Sequence, residues 1–387
     1  MLGLVWLLYA SFGVATGTIA PLVSLIVKDL SMTYGQMGIV LGAWQLVYIV
    51  TAYPLGILID RLGVRRSLGI GISVVWLSVV LRGLSVDFYT LFLTVALFGF
   101  GGPIISIGAP KVVAVWFQGR SRGVAAGIYT TGPIVGAAIA LATAGSFVVP
   151  LTGTWRGISL VYGGFVLLVV VIWWILAKDT PTHSVDNTIE EDISLTQTLR
   201  TLLQIWNVRI IVILAVTTFL LNHGLNNWLP TILQENDMTL SQAGFWTAIS
   251  TLLGAFGLLV IPAVARPGYR RLTISILFLM ASGSTFGLAI FSEAPMVTSL
   301  LVSGMVRAPM MPILTLLLME TPGVGARRMG AAGGIFFAAA EIGGFGGPFL
   351  LGILRDSTGS LFFGVSMLAA ITIPLVLIVP LIKENRC

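Results

Sequence analysis

The chain has 387 residues, of which 57% are hydrophobic and only 9% are charged, and its mean hydropathy is +1.00. Soluble domains carry about 25% charged residues, so this composition excludes a soluble protein and indicates an integral membrane protein. The net charge of +6 would suit nucleic-acid binding in a soluble chain. Here the basic residues lie in short loops, where membrane topology explains them, and we expect no nucleic-acid partner.

Twelve segments are long and apolar enough to cross a bilayer, since a spanning helix needs about 20 mostly apolar residues. The predicted spans are 3–27, 36–59, 67–84, 89–115, 122–147, 157–177, 208–233, 241–265, 272–291, 295–319, 329–353 and 361–382. We therefore expect an all-α polytopic membrane protein with an N-terminal six-helix bundle (1–177), a linker (178–207) and a C-terminal six-helix bundle (208–387).

Lysines and arginines are concentrated in alternate loops. The richer set of loops includes Arg65, Arg122, Arg271 and Arg328, whereas the opposite set holds only Lys28, Arg82, Arg156 and Arg355. Because cytoplasmic loops are enriched in positive charge, we expect a multi-pass protein of the cytoplasmic membrane with both termini in the cytoplasm.

The linker is the only long polar segment. Its second part, ISLTQTLRTLLQIW, spaces leucines and a tryptophan along one helical face, which is typical of an amphipathic helix on a membrane surface. A plain spacer explains the same segment equally well.

The two halves of the chain are repeats at an offset of about 206 residues. Three pairs of segments match in register: MTYGQMG (32–38) with MTLSQAG (238–244), RLGVRR (61–66) with RPGYRR (266–271), and GRSRGVAAG (119–127) with GARRMGAAGG (325–334). With six helices in each half, the repeats are parallel. This arrangement is found in secondary transporters whose substrate binds between the halves near mid-membrane.

The segment GILIDRLGVRR (56–66) resembles the loop 2–3 signature of the major facilitator superfamily, G-x-L-x-D-R-x-G-R-R, with Val64 in place of its first basic residue. The resemblance, together with twelve spans and the duplication, implies the major facilitator fold. It also implies that Asp60 latches the inner gate by pairing with arginines and with a helix end of the other half. The second copy has Ala265 in place of the acid. The predicted gating residues are Asp60, Arg61, Arg65 and Arg66.

A finer resemblance is carried by NWLPTI (227–232) and GIYTTGP (127–133), which are similar to the cyanate permease branch near the nitrate/nitrite porters. This resemblance implies transport of a small anion or, as in some members, of a small neutral or aromatic solute. Both importers and exporters belong to that branch.

Arg307 is the one charge in the apolar run 300–319, at mid-membrane level on a helix that lines the central cavity in the family. A charge at this depth costs a few kcal/mol, about 2.5–3.5 by insertion scales. Its guanidinium would offer a planar donor fork to an anion. The alternative is a structural arginine neutralised by Glu341, which lies at a similar depth. Glu341 could also hold Arg307 in the empty site and yield it to substrate or on protonation, which would make it a coupling residue.

Helix 7 carries a polar stripe at i, i+4 spacing, formed by Asn222, His223, Asn226 and Asn227. Such groups need partners in hydrocarbon, which a water-filled cavity or a substrate would supply; interhelical hydrogen bonds are the alternative. In the first half, Trp44, Tyr48 and Tyr129 are candidate binding residues, and packing explains such aromatics at least as often.

No nucleotide-binding loop, metal-ligand cluster or nucleophile–base arrangement is apparent in the sequence, so we expect no cofactor and no enzymatic activity. The sequence favours a monomeric secondary transporter of a small, anionic solute, coupled to a proton or a counter-substrate. Two alternatives remain open: an exporter of small neutral or drug-like compounds, and a transport-silent membrane sensor on the same fold.

Overall fold

The computed structural model describes residues 1–178, 195–266 and 268–383, without the side chains of residues 60, 119–120, 195–199 and 325–327. In this part of the chain, twelve helices are long and apolar enough to cross a membrane. They are α1 (Leu2–Asp29), α2 (Tyr34–Ile59), α3 (Val64–Arg82), α4 (Phe88–Trp116), α5 (Ser121–Thr152), α6 (Gly157–Leu176), α7 (Trp206–Glu235), α8 (Leu240–Val264), α9 (Arg270–Ile290), α10 (Glu293–Met319), α11 (Arg328–Thr358) and α12 (Phe362–Leu381). The predicted all-α, twelve-span fold is confirmed.

Two helices run past their predicted ends. Both α5 and α11 continue five residues farther, to Thr152 and Thr358, and each is followed by a glycine with positive φ, Gly153 (69°) and Gly359 (78°). A glycine in the left-handed region is the usual helix C-cap. In α11, Arg355 and Asp356 interrupt the apolar pattern before the glycine that ends the helix, and in α5 Pro150 lies in the same interval.

Three of the spanning helices are interrupted. A 3₁₀ turn at Ala20–Leu22 divides α1, a π turn at Ala144–Val148 lies within α5, and a break divides α10 into Glu293–Arg307 and Met310–Met319. Proline accounts for the breaks in α1 and α10, since Pro21 and Pro309 lack the backbone N–H that a continuous helix requires.

The described helices form two compact units. Unit 1 contains α1–α6, residues 225–252 from α7 and α8, and residues 348–360 at the end of α11. Unit 2 contains the first part of α7 to Gly224, residues 253–347, and α12. The predicted division into 1–177, 178–207 and 208–387 follows the sequence repeat and remains a prediction. The amphipathic stretch of the linker forms a short helix, Leu195–Gln204, and its attachment to a membrane also remains a prediction.

The same glycine-mediated crossing occurs once in each unit. In unit 1, a Cβ added to Gly136 of α5 would lie 2.0 Å from the carbonyl oxygen of Ala10 in α1. In unit 2, a Cβ at Gly343 of α11 would lie 1.9 Å from the carbonyl oxygen of Val216 in α7. Only glycine permits helix backbones to approach this closely, and the two pairs are equivalent positions of the repeat.

Candidate functional site

The break in α10 lies at the middle of the span. Arg307 is the fifteenth of the 27 residues of α10, and it is the last residue of the segment Glu293–Arg307. A helix that ends leaves its last carbonyl groups without intrahelical donors. In a membrane these groups must find partners in the protein or in a water-filled space, so the break creates a polar site at mid-membrane depth.

Arg307 is 3% exposed, and its hydrogen-bond partners in unit 2 include Ser303 and Asn222. Its Nε donates to the hydroxyl of Ser303 at 2.9 Å, one helical turn earlier. Its Nη1 donates to the side-chain oxygen of Asn222 at 3.2 Å and to the Asn222 carbonyl at 3.4 Å. In return, the Asn222 amide nitrogen lies 3.5 Å from the carbonyl oxygen of Arg307. This reciprocal contact links α7 to the broken end of α10.

The charge of Arg307 is suited to its position at a helix end. Carbonyl groups give a helix C-terminus partial negative charge, and a cation there is stabilised by about 0.3–1 kcal/mol or more when partly buried. The acceptors on Ser303 and Asn222 are neutral groups. The contacts with Ser303 and Asn222 therefore fix the guanidinium in orientation at the end of this helix segment.

The other residues of the polar stripe are divided between the units. His223, in unit 2, is half-buried with its ring 5.0 Å from that of Phe219 in an edge arrangement. Asn227 is half-buried and Asn226 is exposed, and both belong to the part of α7 in unit 1. The structure brings Asn222 to Arg307, and binding by the other three remains a prediction.

Glu341 is the fourteenth of the 31 residues of α11 and is 6% exposed. Its Oε2 is buried without a hydrogen-bond donor among the described residues. A buried carboxyl oxygen without a donor is costly, so this position needs an explanation. The pairing of Glu341 with Arg307 remains a prediction.

The predicted first-half residues lie in an aromatic cluster of unit 1. Trp44 meets Phe98 edge-on at 5.6 Å and Tyr48 at 6.2 Å between ring centroids. Tyr129 lies 5.6 Å from Tyr9. Edge and tilted arrangements at these distances are typical of packed aromatic side chains, and a role in binding for Trp44, Tyr48 and Tyr129 remains a prediction.

The predicted gating segment is described only in part. Arg61 and Arg66 are exposed, and the backbone carbonyl of Arg65 accepts a hydrogen bond from the indole of Trp173 at 3.0 Å. The side chain of Asp60 lies outside the described residues, so the inner latch stays a prediction. In the part of the chain that the structure describes, no three His, Cys, Asp or Glu side chains form a metal-binding group.

One buried arginine was misplaced by the sequence reasoning. In the sequence, Arg82 lies at the end of the predicted span 67–84 and groups with the loop residues, but Arg82 is 2% exposed and donates to the carbonyl of Ala15 at 2.6 Å and to the Thr18 hydroxyl at 2.9 Å. These acceptors lie where α1 is interrupted before Pro21. The proline was the available signal, because a broken helix needs a donor for its free carbonyl groups.

Comparison with known proteins identifies a family and two similar proteins of known name. The family model described as Major Facilitator Superfamily matches residues 5–348. The chain is 24% identical over 365 residues to the hexuronate transporter of Bacillus subtilis (strain 168), covering 88% of this chain and 84% of that protein. It is 23% identical over 369 residues to the nitrite extrusion protein of the same organism, covering 92% and 87%.

Among solved structures, the nucleoside transporter NupG has the same fold. The TM-score is 0.83 at 15% identity, with 99% of each chain covered.

Proposed function

The chain belongs to the Major Facilitator Superfamily, and we propose that it moves a small anionic solute across the cytoplasmic membrane by alternating access, with Arg307 as the anion-binding residue. The family makes it a multi-pass membrane transporter and not an enzyme. The cytoplasmic location of both termini and the monomeric state are parts of the proposal.

A single observation carries the proposal. Arg307 is a buried cation at mid-span, 3% exposed, and its guanidinium is oriented by Ser303 and Asn222. A charge buried within a membrane span is costly, and an anionic solute bound beside it would offset part of that cost. A guanidinium oriented in advance also binds a carboxylate or similar planar anion through two parallel hydrogen bonds.

The similar proteins support this substrate class. A hexuronate is a carboxylated sugar and nitrite is an inorganic anion, so the names of both relatives refer to small anions. The nitrite extrusion protein also supports the finer placement near the cyanate permease and nitrate/nitrite porter branch, which we retain as a proposal. Asn222, His223, Asn226 and Asn227 would bind the uncharged parts of the solute.

Glu341 is the proposed coupling residue. Its buried Oε2 has no donor among the described residues, and protonation of the carboxyl group or contact with a cation would remove that cost. In the proposed cycle, Glu341 holds Arg307 when the site is empty and releases it when the solute binds or a proton arrives. Asp60, with Arg61, Arg65 and Arg66, closes the inner gate in the same cycle.

Export of small neutral or drug-like compounds is the second candidate, and the aromatic cluster around Trp44 and Tyr129 favours it. Aromatic side chains bind apolar ligands through stacked or edge contacts. A neutral aromatic ligand that binds equally well to the parent protein and to an Arg307→Ala variant would favour this candidate.

The test measures anion binding in two lysine variants of the purified protein. Arg307→Lys keeps the charge and removes the donor fork, so we expect D-glucuronate or nitrite to bind at least tenfold more weakly. Arg82→Lys is the matched control, because Arg82 is equally buried and hydrogen-bonded to neutral oxygens. We expect it to lower thermal stability and to leave the Kd unchanged. Parent-like affinity in Arg307→Lys would contradict the proposal.

A further inference from the structure

The N-terminus of α2 is capped from two directions. Thr33 and Gln36 form a local capping box, in which the Gln36 N–H donates to the Thr33 hydroxyl at 3.1 Å and the Thr33 N–H to the Gln36 side chain at 3.0 Å. The next two donors are taken by a distant acid. The N–H groups of Tyr34 and Gly35 donate to Oδ1 and Oδ2 of Asp356 at 2.9 and 2.7 Å. Asp356 of α11 therefore accepts from the two N–H groups at the start of α2 that the local capping box does not bind.

Arg355, beside that acid, also reaches the start of α2. Its guanidinium lies 4.6 Å from the centre of the Tyr34 ring, a cation–π distance, and it forms an ion pair with Glu235 at the end of α7. The Tyr34 ring also lies 5.9 Å from that of Trp228. We call Tyr34, Gly35, Glu235, Arg355 and Asp356 the outer latch. All five belong to unit 1 and join the start of α2 in the first repeat to α7 and α11 of the second.

The backbones of α2 and α11 lie close together at this contact. A Cβ at Gly352 of α11 would lie 2.2 Å from the carbonyl oxygen of Tyr34, and one at Gly38 of α2 would lie 2.5 Å from the carbonyl oxygen of Pro348. The equivalent crossing, between α8 and α5, has the same design: a Cβ at Gly244 would lie 2.3 Å from the carbonyl oxygen of Leu141. Each repeat thus closes against the other through glycine.

The acid is present at only one of these two crossings. The start of α8 has the same capping box, formed by Thr239 and Gln242. At the end of α5, however, the residues equivalent to Arg355 and Asp356 are Val149 and Pro150.

A shared turn fixes this equivalence. The Thr152 hydroxyl donates to the Thr154 carbonyl and the Thr358 hydroxyl to the Ser360 carbonyl, both at 3.0 Å, and Gly153 matches Gly359. Because the α8–α5 crossing packs without an acid, Asp356 adds something that the packing alone does not require.

We propose that Asp356, oriented beside the Arg355–Glu235 pair, is an electrostatic latch that holds this end of the transporter closed and sets how often it opens. Loops 1–2, 7–8 and 11–12 all lie on the face opposite the termini, because each follows an odd-numbered span. This inference rests on the proposed alternating access, in which that face must open during each cycle. Opening requires the carboxylate to leave two helix N–H donors at the positive end of the α2 dipole.

The test follows opening with a cysteine reporter. The one native cysteine, Cys387, is replaced by serine, and Ala248→Cys places a thiol in the buried cluster of Ala20, Ala138, Leu141 and Ala248, where Ala248 is 4% exposed. Alkylation by a charged maleimide is timed in lipid nanodiscs. We expect Asp356→Ala to raise the alkylation rate about tenfold, the effect of losing two charge-assisted hydrogen bonds and a helix cap.

Asp87→Ala is the matched control. Asp87 caps its own helix, α4, by accepting from Thr90 at 2.8 Å, so its loss weakens a cap without touching the outer latch. An unchanged alkylation rate in Asp356→Ala, or an equal rise in Asp87→Ala, would overturn the proposal.

Two further features make the test decisive. Asp356→Asn keeps one acceptor oxygen and nearly the same shape, so it replaces the alanine variant if that variant does not give a monodisperse protein. We expect the alkylation rate of Asp356→Asn to rise about threefold. An unchanged alkylation rate would again overturn the latch. The readout also needs no solute. A protein that binds no anion can therefore still show the latch, and one that binds anions can still lack it.

Discussion

Replacing Asn222 by aspartate would place an internal anion where the proposal puts the solute. The two side chains have nearly the same shape, and the Asn222 side-chain oxygen is already 3.2 Å from Nη1 of Arg307. The variant converts a neutral hydrogen bond into a charged one. Hydrogen bonds to charged groups contribute about 1.5–3 kcal/mol, against about 0.5–1.5 kcal/mol for neutral ones, so the empty site would gain about 1–2 kcal/mol.

A solute must displace this internal contact before it can bind. We therefore expect the Kd for D-glucuronate or nitrite to rise about 5- to 30-fold, and the thermal midpoint of the empty protein to rise as well. Titration calorimetry and thermal unfolding of the purified protein measure the two effects. Asn207→Asp is the matched control: it makes the same change on the same helix, about 22 Å away, where Asn207 bonds the backbone of Lys383. An unchanged Kd in Asn222→Asp would refute the placement of the anion at Arg307.

Three other substitutions test separate parts of the account. Arg82→Ala should lower the free energy of unfolding by about 1–3 kcal/mol, because the Ala15 carbonyl loses its donor, while the solute Kd stays constant in the same titration. Gly343→Ala should reduce the yield of folded protein, since its Cβ would lie 1.9 Å from a carbonyl oxygen of α7. Gly346→Ala is the control and should be tolerated, because the nearest neighbour of its Cβ is a leucine methyl at 4.0 Å. Equal melting curves for the two variants would contradict the close crossing of α7 and α11. Glu341→Gln should abolish stimulation of uptake by a pH gradient while solute exchange continues, and gradient-driven uptake at the parent rate would remove Glu341 from coupling.

Much of the fold could be predicted because it follows from local composition. Every span is an apolar run of membrane-crossing length. Such a run forms a helix in a membrane, because a helix satisfies its backbone hydrogen bonds within the segment. The repeat at an offset of about 206 residues is matched in the structure by equivalent close packing at Gly136 and Gly343. The second repeat has one extra residue near Gly325, because the nine-residue segment 119–127 matches the ten-residue segment 325–334. The π turn at Ala144–Val148 adds one residue to the first repeat, so the offset between the repeats returns to 206.

The features that the sequence reasoning missed depend on long-range contacts. Asp356 and Tyr34 are 322 residues apart, and a single acid at a helix end gives no local sign of the donors that it will meet. Arg82 was read as a loop residue because a charge at the end of an apolar run marks the membrane boundary in most helices. Its burial depends on the break in α1, which only the folded chain brings to it.

The contact between Arg307 and Asn222 could be predicted only in part. The sequence identified both residues as polar groups within the membrane spans, but it did not predict their contact. It did not predict that α10 would break directly after Arg307. That break supplies the negative helix end which orients the guanidinium.

Solute counterflow in proteoliposomes tests the central claim most directly. Vesicles containing the parent protein are loaded with unlabelled D-glucuronate or nitrite and diluted into the labelled anion, and vesicles loaded with the neutral sugar D-glucose serve as the comparison. We expect transient accumulation of the labelled anion by the parent, none with glucose, and loss of accumulation in Arg307→Ala with folded protein retained. Accumulation by Arg307→Ala at the parent rate would contradict an anion site built on Arg307.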